Sequence, residues 1–369
     1  MEVQNGFAFD SSFFKTDGDG LPIIRIRDLA RGFSGTKYEG QYSESHVVSN
    51  GDYLIGMDGQ FRCFRWSGGK ALLNQRVCRL RRFNPDLLPD FVHYGINKHL
   101  QEIEDNTSFV TVKHLSSRQI ENIEMEIPSL PEQERIVKLL DEADELQKLR
   151  AQADRRTQDL IPALFDEMFG DPLKNPKSFP ISTLGAIAEV ERGRFSPRPR
   201  NDPSYFGGVY PFIQTGDIAQ SGGYLDSWTQ TLNDRGVKVS KSFPSGTIVI
   251  AIVGATIGQT SILCQEVYAT DSVIGIQPHQ ELAKVEYIVA VLRHWRPVFI
   301  AQAPATARAN LNAATLKAVK IPMPPLPLQE EFAARVAEIR EMEKAQAASR
   351  LRLEDLFQSM LHRAFNGEL

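Results

Sequence analysis

Between Gln60 and Asn84 the chain carries Arg62, Arg65, Lys70, Arg76, Arg79, Arg81 and Arg82 and no acidic residue. Phe61, Phe64 and Trp66 interleave the first of them. Basic side chains mixed with aromatic rings suit contacts to phosphate oxygens and base edges. A looser set follows downstream: Arg192, Arg194, Arg198 and Arg200, then Arg235, Lys238 and Lys241, then Arg293, Arg296 and Arg308. Solvated strand faces are the competing explanation for Arg62–Arg82 taken alone.

No comparable pattern points to catalysis. There is no G-x-x-x-x-G-K-[ST], no G-x-G-x-x-G opening a helix, no H-E-x-x-H and no G-x-S-x-G. Gly254-Ala-Thr-Ile-Gly258 is too short for a phosphate loop and reads as a turn between strands. The seven histidines show no ligand spacing, and Cys63, Cys78 and Cys264 form no C-x-x-C pair. The expectation is a recognition or scaffold role, without catalytic residues, metal or bound cofactor.

The elements that must carry these side chains repeat. Pro128-Ser-Leu-Pro131-Glu-Gln133-Glu134 lies over Pro324-Pro-Leu-Pro327-Leu-Gln329-Glu330 at an offset of 196, and the match continues without a gap to about residue 171. Upstream the offset drifts. Ile24-x-Ile26-x-Asp28-Leu29 matches Ile213-x-Thr215-Gly-Asp217-Ile218 at 189, and Gly51-Asp-Tyr-Leu-Ile55 matches Gly246-Thr-Ile-Val-Ile250 at 195. Each half is therefore a variable globular segment followed by a well-matched tail.

The tails read as helices. Pro131 and Pro327 suit a first turn, and the acids beside them favour the positive end of the helix dipole. Apolar residues recur at steps of three and four. The expected seam includes Ile136, Leu140, Leu146 and Leu160 in one copy and Phe332, Val336, Ile339, Met342 and Leu356 in the other. Such long helices need a partner stripe, and the obvious partner is the other copy. Pro162 should break or kink the first near its end. The globular halves, with short Val/Ile/aromatic runs between Gly, Pro, Asn and Asp, read as small mixed sheets with a few helices.

The 369 residues carry 46 acidic and 42 basic side chains, a net charge of −4. The charge is uneven. Residues 132–170 hold ten acids against six bases and residues 329–369 eight against six, so the globular remainder is net basic. The longest apolar run is too short to span a bilayer. The N-terminal residues lack a basic leader, and with three unpaired cysteines the expectation is a cytoplasmic protein.

The order of variable domain, L-P-x-Q-E helix, variable domain and L-P-x-Q-E helix resembles the specificity subunits of type I restriction-modification systems. The residues that carry the likeness are Leu130-Pro131-Glu-Gln133-Glu134, Leu326-Pro327-Leu-Gln329-Glu330, Leu164-Phe-x-x-Met-Phe169-Gly170-Asp171 and the opening Asn5-Gly6-Phe7-Ala8-Phe9. The resemblance implies an α+β protein with an internal pseudo-two-fold repeat. Target recognition domains at 1–128 and 172–324 would be separated by spacer helices at 129–171 and 325–369, packed antiparallel as a coiled coil. Each recognition domain would read half of a bipartite duplex DNA target. The helices would dock two modification subunits carrying adenine-N6 methyltransferase chemistry with S-adenosylmethionine. Restriction subunits using ATP and Mg can join such complexes, which serve DNA methylation and phage defence.

Base-edge readout needs Arg, Lys, Asn, Gln or Thr. The candidates are Arg62, Arg65, Lys70, Asn74, Gln75 and Arg76 in the first half, and Arg192, Arg194, Gln214, Thr215, Thr256, Gln259 and Arg308 in the second. One departure stands out. The second half has a lead-in, Phe179 to Val190, of which the first half lacks about eleven residues, so either the start lies upstream or the first domain is trimmed. The rival reading is a coiled-coil scaffold whose heads bind protein.

Overall fold

The computed structural model describes residues 1–107, 113–301 and 311–369. The chain divides into two units that do not follow it linearly: Met1–Ala151 with Ala348–Leu369, and Gln152–Ala347. Each unit takes one globular half and a portion of each long helix.

The first globular half runs β1 (Glu2–Asn5), β2 (Phe14–Lys15), β3 (Leu21–Ile24), α1 (Ile26–Leu29), β4 (Lys37–Tyr38), β5 (Val47–Val48), β6 (Tyr53–Gly56), β7 (Cys63–Arg65), β8 (Ala71–Leu73) and β9 (Val77–Arg81). Then come α2 (Pro89–Asn106) and α3 (Ser117–Glu121). One sheet has the order β1-β9-β6-β7 and is antiparallel throughout. A second, β2-β4-β3-β8-β5, includes the parallel pair β3–β8. Alternating strand residues split between two cores. Ile55, Cys63, Cys78 and Leu80 pack on Val92, Ile96 and Leu100 of α2. Leu54 and Val77 face the fully buried Trp66 with Val48 and Leu73.

The long helices are α4 (Leu130–Gln158), continued after a break by α5 (Leu160–Phe169), and, at the end of the chain, α11 (Leu326–Ala364). Pro131 and Pro327 sit in the first turns as expected. The break falls before Pro162, where the ring excludes the carbonyl four residues back. Gly170 closes α5 with φ 74°, its N–H on the Asp166 carbonyl.

Between them the second half runs β10 (Ile181–Thr183), α6 (Leu184–Ile187), β11 (Ala188–Arg192), β12 (Phe206–Ile213), α7 (Thr215–Gln220), β13 (Tyr224–Leu225), β14 (Gln230–Leu232), α8 (Asp234–Lys238), β15 (Lys241–Phe243) and β16 (Ile248–Ala251). Next are β17 (Thr260–Leu263), β18 (Val267–Ala269), β19 (Val273–Pro278), α9 (Val285–Ala301), α10 (Ala313–Lys317) and β20 (Lys320–Pro322). Its main sheet, β11-β19-β16-β17-β13, repeats β1-β9-β6-β7 and adds β13 at the edge. A second sheet has the order β14-β12-β18-β15, and the lead-in strand β10 pairs with β20.

Inside each unit the two long helices run antiparallel. In the first, Ile136 and Leu140 of α4 share a cluster with Phe357, Met360 and Leu361 of α11, and with Phe91 and Tyr94 of α2. In the second, Phe332 and Val336 of α11, with Ile339 against them, meet Ile161, Phe165 and Phe169 of α5 and Tyr287 of α9. The expectation of one continuous stripe needs correction. Leu146, Leu160, Met342 and Leu356 are 50%, 41%, 48% and 50% exposed. Small and polar residues take the seam there. Thr157 is buried and its Oγ1 accepts from Gln346 Nε2 at 3.0 Å, and Gln147 Nε2 reaches the Leu353 carbonyl at 3.3 Å. With those contacts made, the neighbouring leucines turn outward.

Candidate nucleic-acid interface

Each main sheet ends in a row of residues with a cluster of loops beyond it. In the first unit the row is Asn5, Cys78, Ile55, Cys63. Arg62 precedes Cys63, and the turn Asn74-Gln75-Arg76 leads into β9. That turn is held by the Gln75 N–H on Asn74 Oδ1 (2.9 Å) and the Met57 N–H on the Arg76 carbonyl (3.0 Å). Arg62, Gln75 and Arg76 are exposed there, and Asn74 is partly so.

The second unit's row is Arg192, Ile274, Ile250, Thr260. Gln259 precedes Thr260, and its backbone carbonyl accepts from Ala251 N–H. Thr256 lies in the same β16–β17 turn, which the Ile252 N–H ties to the Ser272 carbonyl. Arg194 N–H bonds the Ala269 carbonyl, and Ala269 pairs with Ile213, next to Gln214 and Thr215. Six of the seven candidates of this half thus meet at one end of the unit. Arg308 lies outside the described residues.

The same glycine opens both clusters. A Cβ on Gly6 would stand 2.0 Å from the Asn74 carbonyl oxygen, and one on Gly193 2.2 Å from that of Thr270. Only a residue without a side chain lets the two loops close. A second shared device is a buried carboxylate. Asp28 Oδ2 accepts from Arg25 N–H at 3.0 Å, and Asp217 Oδ2 from Gln214 N–H at 2.7 Å.

Two first-half candidates stand apart from the cluster. Lys70 precedes β8, three strand residues from Asn74, and Arg65 ends β7 with a 3.3 Å ion pair to Asp90. The acid-free run is also less basic in space than in sequence. Arg76 pairs with Asp58 at 3.4 Å, Arg79 with Asp52 at 3.1 Å and Arg82 with Glu2 at 2.9 Å. Arg79 is a scaffold residue, bonded also to Gln4 and to the Val47 and Ser45 carbonyls. In the second unit Asp271 plays the same part for Arg200 (2.6 Å) and, through its backbone carbonyl, for Arg192. Gln214 is held by Gln230 at 2.7 Å, and Arg194 by the Ser240 carbonyl at 3.0 Å. Among the described residues, Gln259 Oε1 is buried without a hydrogen-bond partner, an acceptor poised in the cluster.

Sequence reasoning missed the glutamines that fix these heads to the helices. Gln133, fully buried in the first turns of α4, accepts from Leu88 N–H at 2.8 Å and donates to the Asp86 and Pro128 carbonyls at 2.9 Å each. Gln329 does the same at the offset of 196: it accepts from Lys284 N–H (3.0 Å) and donates to the Leu282 (3.5 Å) and Pro324 (2.9 Å) carbonyls. The signal was present, since this Gln recurs in both copies of L-P-x-Q. Among the described residues no group of three or more His, Cys, Asp or Glu is placed to hold a metal ion, and no helix is long and apolar enough to cross a membrane.

Fold and loop clusters together define a duplicated recognition protein built on paired helices. The profile of the type I restriction modification DNA specificity domain matches residues 1–154 and 176–346. The EcoBI type I restriction enzyme specificity subunit of Escherichia coli is 29% identical over an alignment covering all of this chain and 84% of that protein. The solved type I restriction-modification S subunit from M. genitalium superposes with a TM-score of 0.57 at 15% identity, over 99% of this chain and 93% of its own. A chain from a structure on assembly and conformational transition of the type I R-M system gives 0.60 at 19% identity, over 90% and 87%. The chain belongs to the type I restriction-modification DNA specificity family, whose role is recognition of the DNA target. That favours DNA over the protein-binding scaffold, and the specificity subunit family is a non-catalytic one.

Proposed function

We propose that each unit reads one part of a bipartite duplex target with its own loop cluster, and that the helices set the distance between the parts. The observation that carries this is the duplication of the cluster. Two sheet ends open on the same glycine and are clamped to helices by the same glutamine, yet they present different side chains: Arg62, Asn74, Gln75 and Arg76 against Arg192, Arg194, Gln214, Thr215, Thr256 and Gln259. A shared frame with different edges suits one protein reading two unlike sequences. Arg65 and Lys70, set apart from the cluster, serve the phosphates beside it. The chemistry belongs to partners: two modification subunits with S-adenosylmethionine, and restriction subunits with ATP and Mg, in the cytoplasm where the DNA is. The exposed apolar pairs Leu146 with Met342 and Leu160 with Leu356, each 196 residues apart, offer two equivalent footholds for two identical subunits.

The test uses the chain with its modification partner. Together with S-adenosylmethionine they should methylate adenine at a gapped motif, whereas the chain alone should not turn over. Arg62→Ala should weaken binding by about 1–3 kcal/mol, relax specificity at one position of its half-site, and spare the second half-site in an interference footprint. Losses at both half-sites, or at neither, would overturn the placing of Arg62. Seven residues added after Arg150 and after Gln346 lengthen each helix by about 10 Å, so the unread gap should grow by about three base pairs. An active variant with an unchanged gap would mean the helices are not the ruler.

A further inference from the structure

The two units carry the same groove in two states. In the second, it lies between β17, α9, α5 and α11, and only about 20 Å³ of it remains open. Its walls include Glu286, Val289, Arg293, Ile161 and Arg340, and what fills it is the chain's own Gly223-Tyr224 at the start of β13. β13 runs parallel to β17, with Ile262 N–H on the Gly223 carbonyl (3.0 Å) and Cys264 N–H on the Leu225 carbonyl (3.1 Å). The Arg340 guanidinium lies 4.9 Å from the Tyr224 ring centroid.

In the first unit the corresponding groove holds about 770 Å³. Asp90, His93, Asn97, Asp144 and Phe357 stand at the positions of those five wall residues, each 196 away. Arg65 stands for Ile262, since both lie opposite the matched first residues of β6 and β16. Among the described residues the first half has no strand equivalent to β13, and β7 is the last strand of its sheet. The ladder alternates. Trp66 faces β6 through its bond to the Asp52 carbonyl, so the N–H of Arg65 faces away, toward the groove, and the same alternation turns that of Ser67 off β6 just past the strand end. Asn97 closes the other end of the edge by bonding Cys63 N–H (2.8 Å) and its carbonyl (3.4 Å). Room, an unpaired edge and a floor that takes an aromatic ring coincide.

We propose that this groove binds an extended segment of a partner polypeptide, small–aromatic–aliphatic in sequence, added parallel to β7 as β13 is added to β17. Its small residue would accept from Arg65 N–H and its aliphatic residue from Ser67 N–H. The aromatic ring would lie over Tyr94, His93 and Phe357. A second copy of the chain is a poorer donor, because its own Gly223-Tyr224-Leu225 is already built into a sheet.

The probe is a fluorescein-labelled peptide of the chain's own infill, Ser-Gly-Gly-Tyr-Leu-Asp-Ser, capped at the C-terminus, titrated into the full-length chain by polarisation with a scrambled control. Saturable binding at least tenfold tighter than the scramble is expected. Amide exchange should slow at Arg65 and Ser67 and not in 260–264, where β13 already protects the edge. Arg65→Pro, which removes the donor, should weaken binding at least tenfold. Asp144→Arg, which restores the cation found over Tyr224, should tighten it about threefold even if the proline variant proves unstable. Equal binding of peptide and scramble, or slowed exchange away from 63–67, overturns the proposal. A dimer in sedimentation that exchanges β13 between copies would assign the groove to a second chain and overturn it too.

Discussion

Two grooves of one design, one filled by its own chain and one empty, show what the repeat holds constant and what it leaves free. Constant are the attachments: Gln133 and Gln329, Gly6 and Gly193, Asp28 and Asp217. Free is the lining, where Asn97 and Asp144 of the first unit stand in the places that Arg293 and Arg340 take in the second. Two arginines side by side are costly. Burial and then the neighbouring Arg340 both push the Arg293 guanidinium below its ordinary value. The second unit offsets this with the Tyr224 ring and with Glu343, 2.6 Å from Arg340. Among its described residues the first unit has no infill strand, and Asn97 and Asp144 stand where the two arginines would.

Breaking a constant element should have the largest effect. Gln133→Leu strands the Leu88 N–H and the Asp86 and Pro128 carbonyls, and should destabilise the first unit by about 3 kcal/mol. Gln329→Leu should do the same to the second. Hydrogen exchange resolved by unit checks this, and each loss should stay within its own unit. Next come Gly6→Ala and Gly193→Ala, each costing about 1–3 kcal/mol because a backbone carbonyl must move. Each should also erase one half-site from a DNA footprint and leave the other.

The lining separates the units by acid. His93 is half-buried against the Tyr53 and Tyr94 rings, its Nδ1 without a partner among the described residues, and desolvation holds its pKa below the ordinary 6.5. The unfolded chain therefore binds more protons than the folded one between that lowered value and 6.5, and stability falls as pH falls through this window. Val289 holds the equivalent place in the second unit. Acid-induced exchange should loosen the first unit first, and His93→Val should abolish the difference. The smallest effect belongs to Arg340→Met. It loses the ring contact and the Glu343 pair but relieves Arg293, so the second unit's stability should change by less than about 1 kcal/mol, read by the same exchange experiment.

Much of this plan was legible in the sequence, because backbone needs leave strong residue signatures. The offset of 196 located both long helices, Pro131 and Pro327 marked their first turns, and Pro162 marked the break. Gly254 to Gly258 proved to be a turn between β16 and β17. Side-chain partners across the fold were not legible. The run Arg62–Arg82 contains no acid, yet Glu2 of β1, Asp90 of α2 and, from either side of β6, Asp52 and Asp58 reach it. Nor could an apolar spacing show that Thr157 and the Gln147 and Gln346 amides would hold the seam while Leu146 and Met342 faced out. Period reports amphipathicity, but which face is used depends on the partner's side chains.

The clamp glutamines ask nothing of the heads but backbone. Gln133 touches the N–H of residue 88 and the carbonyl of residue 86, and Gln329 those of 284 and 282. Any side chains could stand at those positions, and they differ: Leu88 against Lys284, Asp86 against Leu282. At this contact a head is therefore held through its backbone alone, whatever side chains it carries there. Heads exchanged as cassettes, by recombination within the Pro128 and Pro324 segments, would keep this attachment and need preserve only the aromatic residues that pack on the helices, Phe91 and Tyr94 in one head and Tyr287 in the other.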